Sequence, residues 1–468
     1  MILFLTSLIL LILGYFTYAK VVEKIWGVDE NFETPAVKLN DGVDYVQMPL
    51  WRIFLIQFLN IAGLGPVFGA ILGAIYGPVA LLWIVFGCIF AGGVHDYLVG
   101  MISVRNNGKS IVDVTEKIFG KYFKFVFLIF FVGLLLLLGT VFAINPAKML
   151  SNLSHTQLIW WIIAVFGYYF LATLLPVDKI IGKFYPYFAG LLVVMTVLLI
   201  TGLIFSGKPL YPHLTFSNLH PEHQNIFPLL FITIACGAIS GFHATQTPIM
   251  ARCLPNEKYG RIIFYGAMVT EGIIALIWAT LSIAFYEETG GLLNAINTLG
   301  QGGVVSEISM GILGKIGGTL TVLSIVILSI TSGDTAFRSI RLTIAETVNI
   351  NQTKVLNRLF LSTIILGTGI FLSRFNLTTL WQYFGWANQA LSSLVLWTIT
   401  YYLAQKGKNY VITLIPALFM TAVVISYILQ VKIGLSLTPF IANSVGIISA
   451  IIALIIFFLR KNNIKIQH

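Results

Sequence analysis

A stretch apolar enough to cross a bilayer is interrupted by Asn60-Ile61-Ala62-Gly63-Leu64-Gly65-Pro66, a run that breaks a helix. A second interruption, Ile239-Ser240-Gly241-Phe242-His243, lies 178 residues further on, counted from Gly63 to Gly241, and repeats the pattern Ile-small-Gly. Backbone groups left unpaired in lipid cost several kcal/mol each, so unwound segments persist only where protein or a polar cavity surrounds them. A matched pair of breaks in two halves of one chain points to the binding site of a secondary transporter.

The chain around these breaks belongs in a membrane. It has 468 residues, 57% hydrophobic and 10% charged. Thirteen apolar segments of spanning length are expected near 2–19, 51–75, 78–104, 122–146, 157–175, 178–205, 227–253, 259–286, 311–344, 355–373, 379–404, 409–429 and 436–459. The first has no basic residue before it and is followed by Lys20 and Lys24, so it reads as a span with its N-terminus outside and not as a signal peptide. Threading the chain through all thirteen puts 23 of the 28 Lys and Arg residues on the cytoplasmic side and 5 outside. A missed or invented helix would scramble that split. The same bias explains the net charge of +10, which is no evidence for nucleic acid. The C-terminus falls in the cytoplasm, and the location is the plasma (cytoplasmic) membrane.

With residues 1–20 set aside as an extra N-terminal helix, the next ten spans form two groups of five, 51–205 and 227–404. Five is odd, so the second group starts from the opposite side. The expected fold is an all-α polytopic membrane protein with a LeuT-like 5+5 inverted repeat, followed by two C-terminal helices in 409–459. Each five opens with its broken helix. Each also has an amphipathic segment after its second span: Ser110 to Phe119, with Ser110 and Asp113 as an N-terminal capping pair, and Leu292 to Leu299. The last two spans hold few polar groups and would pack around the core or form an oligomer contact.

Most acids lie in loops or near span ends; Asp96, Glu271 and Asp334 lie well inside spans. A charge at that depth is expensive and has a functional or pairing role. His95 adjoins Asp96, and His243 sits at the second break, so Asp96, Glu271, Asp334 and His95 are candidates for ion coupling. The plainer reading for Asp334 is a salt bridge to Arg338 four residues on. Thr331 and Ser332 offer hydroxyls that could hold sodium, or simply bond back to their own helix. At the breaks, Pro66 suits the first turn of a half-helix through Val67, and a second half-helix should begin near His243. Two such N-termini meeting at mid-membrane would hold a carboxylate. The substrate-binding candidates are therefore Ala62, Gly63, Gly65, Pro66, Val67, Ser240, Gly241, Phe242 and His243. The alternative for the glycines is tight helix packing. His213, His220 and His223 in an outer loop could form a metal site, though a solvated loop is the simpler reading. Trp381, Tyr383, Phe384 and Trp386, with Asn388 and Gln389, read as interfacial anchoring and packing, with the alternative that the Asn and Gln reach a cavity. Cys88, Cys236 and Cys253 are too few and dispersed for a disulfide framework or metal motif. No P-loop, hydrolase or cofactor motif is present.

Four stretches carry a resemblance: Asp41-Gly42-Val43-Asp44-Tyr45-Val46 through Asn60 to Gly69, Phe90-Ala91-Gly92-Gly93-Val94-His95-Asp96-Tyr97, Cys236 to His243, and Thr331-Ser332-Gly333-Asp334-Thr335-Ala336-Phe337-Arg338. Together they resemble the carbon starvation protein A family over most of the chain, in a form shorter than its best-known members. The resemblance implies an inner-membrane importer of peptides or pyruvate, induced when carbon is scarce, with proton coupling, in the amino acid–polyamine–organocation superfamily. The resulting expectation is a secondary importer of small carboxylates, not an enzyme, driven by H+ or, alternatively, Na+, with a small-molecule substrate and membrane lipid as its partners. A passive channel, a membrane sensor and a membrane enzyme using His95, Asp96 or His243 are the competing classes.

Overall fold

The computed structural model describes residues 1–41, 45–174, 177–211, 215–348, 350–352 and 354–461, leaving aside the side chains of residues 173, 174, 177–186 and 346. The motif residues Gly42, Val43 and Asp44 and the loop candidate His213 lie outside the described residues. The described chain is helical throughout its apolar segments. Among the described residues nine helices are long and apolar enough to cross a membrane, or ten if Leu50–Ala62 and Gly65–Ala74, bent by 54°, form one crossing. Three of the thirteen expected spans fall short of that mark. Leu158–Leu174 has 17 residues, the segment around the second break is split into short pieces, and Leu377–Gln405 is long but buries Asn388, Gln389, Ser392 and Ser393.

The first broken helix shows why its sequence unwinds. Leu50–Ala62 stops at Gly63, whose φ of 47° and ψ of −154° lie where a side chain is strained. Pro66 lies in the first turn of the wider π-type turn Gly65–Gly69, which continues as Ala70–Ala74. In the second broken region, Leu229–Thr233 ends, the chain passes through a series of turns over residues 234–242, with Gly237 at φ 92°, and His243–Ala251 begins. The two breaks touch. A side chain at Gly65 would overlap Cys236, and one at Gly237 would come within 3.9 Å of Pro66.

Each broken helix is followed by a helix with its own π-type distortion, Trp83–Gly92 leading into Gly93–Arg105, and Arg261–Tyr265 leading into Gly266–Tyr286. The surface helix Ile111–Phe119 is capped as expected: the Ser110 hydroxyl accepts from the Asp113 amide at 3.4 Å and donates to its carboxylate at 3.1 Å. Its counterpart lies at the start of Thr289–Thr347, which bends at Gly300 and Gly314, where φ is 71° and 68°. The expected span from 311 therefore starts only after Gly314; residues 301–313 form a separate helical piece between the two bends. Lys121–Ser154 packs along the last part of that long element. The C-terminal pair Val411–Gln430 and Pro439–Arg460 packs together against Leu377–Gln405, and Ile2–Phe16 lies on Gly266–Tyr286.

Candidate functional site

Four titratable side chains meet between the breaks, each with no solvent exposure: His95, Asp96, His243 and Glu271. Gly93–Arg105 carries the first two, His243–Ala251 carries His243 in its first turn, and Gly266–Tyr286 carries Glu271. His95 Nδ1 lies 2.7 Å from Asp96 Oδ1, and His243 Nδ1 lies 2.8 Å from Asp96 Oδ2, so both oxygens of that carboxylate are engaged. The other ring nitrogen of His243, Nε2, lies 3.3 Å from Glu271 Oε2. One imidazole thus stands between two buried carboxylates. Glu271 Oε1 has no side-chain partner, and Oε2 has only this contact with His243. Cys236, His243 and Glu271 place a sulfur, a nitrogen and an oxygen within 4.8 Å of one another, a set that suits a shared proton or a soft cation.

Asn388 organises the second break. Its side-chain oxygen accepts from the Phe242 amide at 2.8 Å and from the Ser240 hydroxyl at 3.1 Å, while its backbone carbonyl accepts from the Gly241 amide at 3.2 Å. This corrects the expectation that the half-helix start at His243 offers free N–H groups: the amides of Gly241 and Phe242 are taken by Asn388, and that of His243 by the Ser240 carbonyl at 3.3 Å. A buried donor needs a partner, and this protein supplies one of its own. The first break is different. The amides of Gly63, Leu64 and Gly65 donate to nothing among the described residues, and all three residues are buried. Consecutive free amides of this kind form an anion-binding concavity.

The remaining candidates divide. Ala62, Pro66 and Val67 line the first break and are buried. Ser332 Oγ is buried without a hydrogen-bond partner and lies 3.7 Å from where a side chain at Gly63 would begin. Thr331 Oγ1 donates back to the Leu328 carbonyl at 2.9 Å. Asp334 sits apart from the cluster and pairs with Arg338 at 3.4 Å, the structural alternative. In the outer loop His220 is no solvated ligand. It packs edge-on against Tyr76, ring centroids 4.7 Å apart, and accepts from the Glu222 amide at 3.1 Å. Burial, the main cause, holds its imidazole below the usual range. Asn388 and Cys236 stand in the site although neither is among the binding or coupling candidates; for Asn388 the structure follows the alternative of an amide that reaches inward. An adjacent Asn-Gln pair deep in an apolar segment was the available signal for the first.

Residues 1–158, 144–298 and 284–427 match the family of carbon starvation protein CstA. The chain belongs to the CstA family. A Haemophilus influenzae protein described only as an uncharacterized membrane protein is 44% identical over 340 residues, which cover 61% of this chain and 92% of that one. The pyruvate/proton symporter BtsT of Escherichia coli is 28% identical over 344 residues, 59% of this chain and 48% of BtsT. The peptide transporter CstA of the same organism is 26% identical, over 58% and 48%. The match thus covers about half the length of these two CstA-family relatives. Among solved structures, a manganese transporter of Eremococcus coleocola superposes with a TM-score of 0.61 at 13% identity, over 91% of this chain and 99% of its own. MhsT in complex with L-phenylalanine gives 0.58 at 14%, over 87% and 99%. This CstA-family chain is an all-helical, multi-pass membrane protein with the fold of LeuT-type transporters.

Proposed function

We propose that this protein is a secondary importer of small carboxylates, peptides or pyruvate, in the cytoplasmic membrane, driven by protons. The observation that carries this reading is the placement of His243 between Asp96 and Glu271, beside two breaks of which one presents three unpaired amides. The substrate carboxylate would lie against Gly63, Leu64 and Gly65, with Ser240, Gly241, Phe242 and His243 across from it. Glu271 is the group that exchanges the proton. Asp96 has both oxygens held by close imidazole contacts, whereas Glu271 has only the longer 3.3 Å contact of Oε2 with His243 among side chains. With His243 protonated and both carboxylates ionised, the trio carries one net negative charge in a dry site, which a single proton neutralises.

The finer architecture belongs to the same proposal. Residues 51–205 and 227–404 would be inverted five-helix repeats, flanked by the helix in 1–20 and the pair in 409–459, thirteen spans in all, with the N-terminus outside and the C-terminus in the cytoplasm. Three features support it: the facing breaks, a π-type distortion in the second helix of each half, and a surface helix after each. Alternating access would move the broken helices and their followers against the rest.

The test is uptake of labelled pyruvate, and in parallel a labelled dipeptide, into proteoliposomes under an inward proton gradient without sodium. Accumulation that collapses with the gradient is expected. Glu271→Gln should abolish driven uptake and preserve counterflow. Driven uptake retained in Glu271→Gln would discard that role. A second reading, sodium as the driving ion, is favoured by the unpartnered Ser332 hydroxyl beside Gly63. It predicts that sodium alone sustains accumulation and that Ser332→Ala removes it.

A further inference from the structure

The short helix Tyr18–Trp26 continues the N-terminal span after a bend at Thr17 and turns one face, Ala19, Val22 and Trp26, into the protein. It ends at Gly27, whose φ of 70° lets the chain double back over the end of Gly93–Arg105. Here several parts of the molecule converge on the face rich in Lys and Arg. Arg105 donates to both oxygens of Glu257, at 2.8 and 2.9 Å, and to the Gly27 carbonyl at 2.7 Å. Glu257 is fully buried and also accepts from the Asp29 amide at 3.0 Å. Asn256 donates to the Glu30 carbonyl at 2.7 Å, and Arg261 pairs with Glu23 at 2.9 Å.

Trp26 is the centre of this assembly and has no exposed surface. The Arg105 guanidinium lies 4.7 Å from its ring, the Lys408 ammonium lies 4.7 Å from it, and the Tyr402 ring stacks on it at 6.3 Å and 15°. Lys408 also donates to the Trp26 carbonyl. Arg105 and Glu257 belong to the helices that follow the two breaks. Tyr402 and Lys408 belong to the end of Leu377–Gln405 and the loop beyond it. One indole therefore joins the two groups of helices that must separate for the Lys- and Arg-rich side of the site to open.

We propose that residues 17–30 form a strap that holds this face of the transporter shut, with Trp26 as its latch, and that the latch leaves its Arg105–Lys408 sandwich each time the face opens. The inference rests on the alternating-access reading above. Its physical basis is that two cation–π contacts and a ring stack sit across the parting line, next to a buried ion pair that stays on one side of it. The Arg105–Glu257 pair keeps the moving helices together and fixes where the strap lands. Opening has to break the sandwich, together with the Thr115–Thr398 hydroxyl pair at 3.2 Å that joins Leu377–Gln405 to the surface helix Ile111–Phe119. A strap that merely anchored the N-terminal span would bind one group of helices and have no need of Lys408.

The test reads the gate without reading transport. Cys236 lies at the second break and is buried, and the chain has only two other cysteines, Cys88 and Cys253. In a Cys88→Ala/Cys253→Ala background, labelling of Cys236 by an impermeant maleimide is timed in inside-out and right-side-out vesicles. Lys408→Ala removes half of the sandwich without opening a core cavity, and Trp26→Ala removes the latch. Each should speed labelling about tenfold, from the Lys- and Arg-rich face only. Labelling as slow as in the parent, in a Lys408→Ala protein of unchanged thermal stability, would overturn the strap; that variant decides alone where Trp26→Ala fails to fold. Faster labelling in a protein that accumulates neither pyruvate nor dipeptide would keep the strap and reject the proposed substrates.

Discussion

The Oδ1 atom of Asn388 accepts a hydrogen bond from the backbone amide of Phe242 at 2.8 Å, across the middle of the protein and inside its driest part. A side-chain amide thus does for the second break what the next helical turn would have done. Asn388→Ala leaves the Phe242 amide buried and unpartnered and the Ser240 hydroxyl with only the Cys236 thiol at 3.5 Å. The expected loss is about 2–4 kcal/mol, read as a fall in thermal stability in detergent. Asn388→Asp keeps both acceptor bonds but buries a further charge and should recover little of it.

Asp96 and Glu271 should separate by what their loss does. Asp96→Asn strips the charge to which both His95 and His243 are oriented and should destabilise the protein by roughly 3 kcal/mol. Glu271→Gln, at a carboxyl whose one side-chain contact is the 3.3 Å approach of His243, should fall well short of that while removing the response to a proton gradient. Thermal unfolding beside driven uptake and counterflow separates the two. Equal losses of stability would count against different roles for them.

Asp334 belongs to the scaffold. Asp334→Asn should weaken its hold on Arg338 and lower thermal stability, yet leave the dependence of uptake on external pH where it was. A shifted pH profile would return it to the coupling machinery.

Gly65 tests the contact between the breaks. Gly65→Ala drives a methyl group into Cys236 and should abolish uptake with a loss of about 1–3 kcal/mol. Cys236→Gly in the same chain should restore both in part. Gly167→Ala, with nothing within 4 Å of the new methyl, is the matched control and should leave stability unchanged or slightly raised.

Much of this was visible in the letters of the chain. The breaks announce themselves because Gly63, Gly65 and Pro66 contradict the helix that the surrounding residues demand. Asp96 and Glu271 stand out because charge is rare in apolar runs. What stayed hidden is convergence. Nothing local tells that His243 turns one nitrogen to each acid, since the three residues lie on separate helices and their meeting depends on how those helices cross. Asn388 follows Trp381, Tyr383 and Trp386, which suits either an interfacial patch or an amide that reaches a cavity. The course of Leu377–Gln405 past Gly241 decides for the second. Cys236 looked inert because its spacing fits no motif, and its importance comes from standing against Gly65. Two of the three spans that fall short do so for legible reasons: one is broken by its glycines and turns, and the other is laden with Asn, Gln and Ser; Leu158–Leu174 is apolar and falls short by length alone.

The single imidazole between two carboxylates has an electrical consequence. A unit that takes up one proton per turnover and carries one monocarboxylate moves no net charge, so membrane voltage contributes nothing to it. A zwitterionic dipeptide entering with the same proton would carry one positive charge inward and gain about 2.3 kcal/mol for every 100 mV. Depolarised vesicles with an intact pH difference would therefore still fill with pyruvate, while dipeptide accumulation would drop. For a starving cell whose voltage has run down, the two kinds of cargo would differ in value: a keto acid would enter as long as the outside stayed acidic.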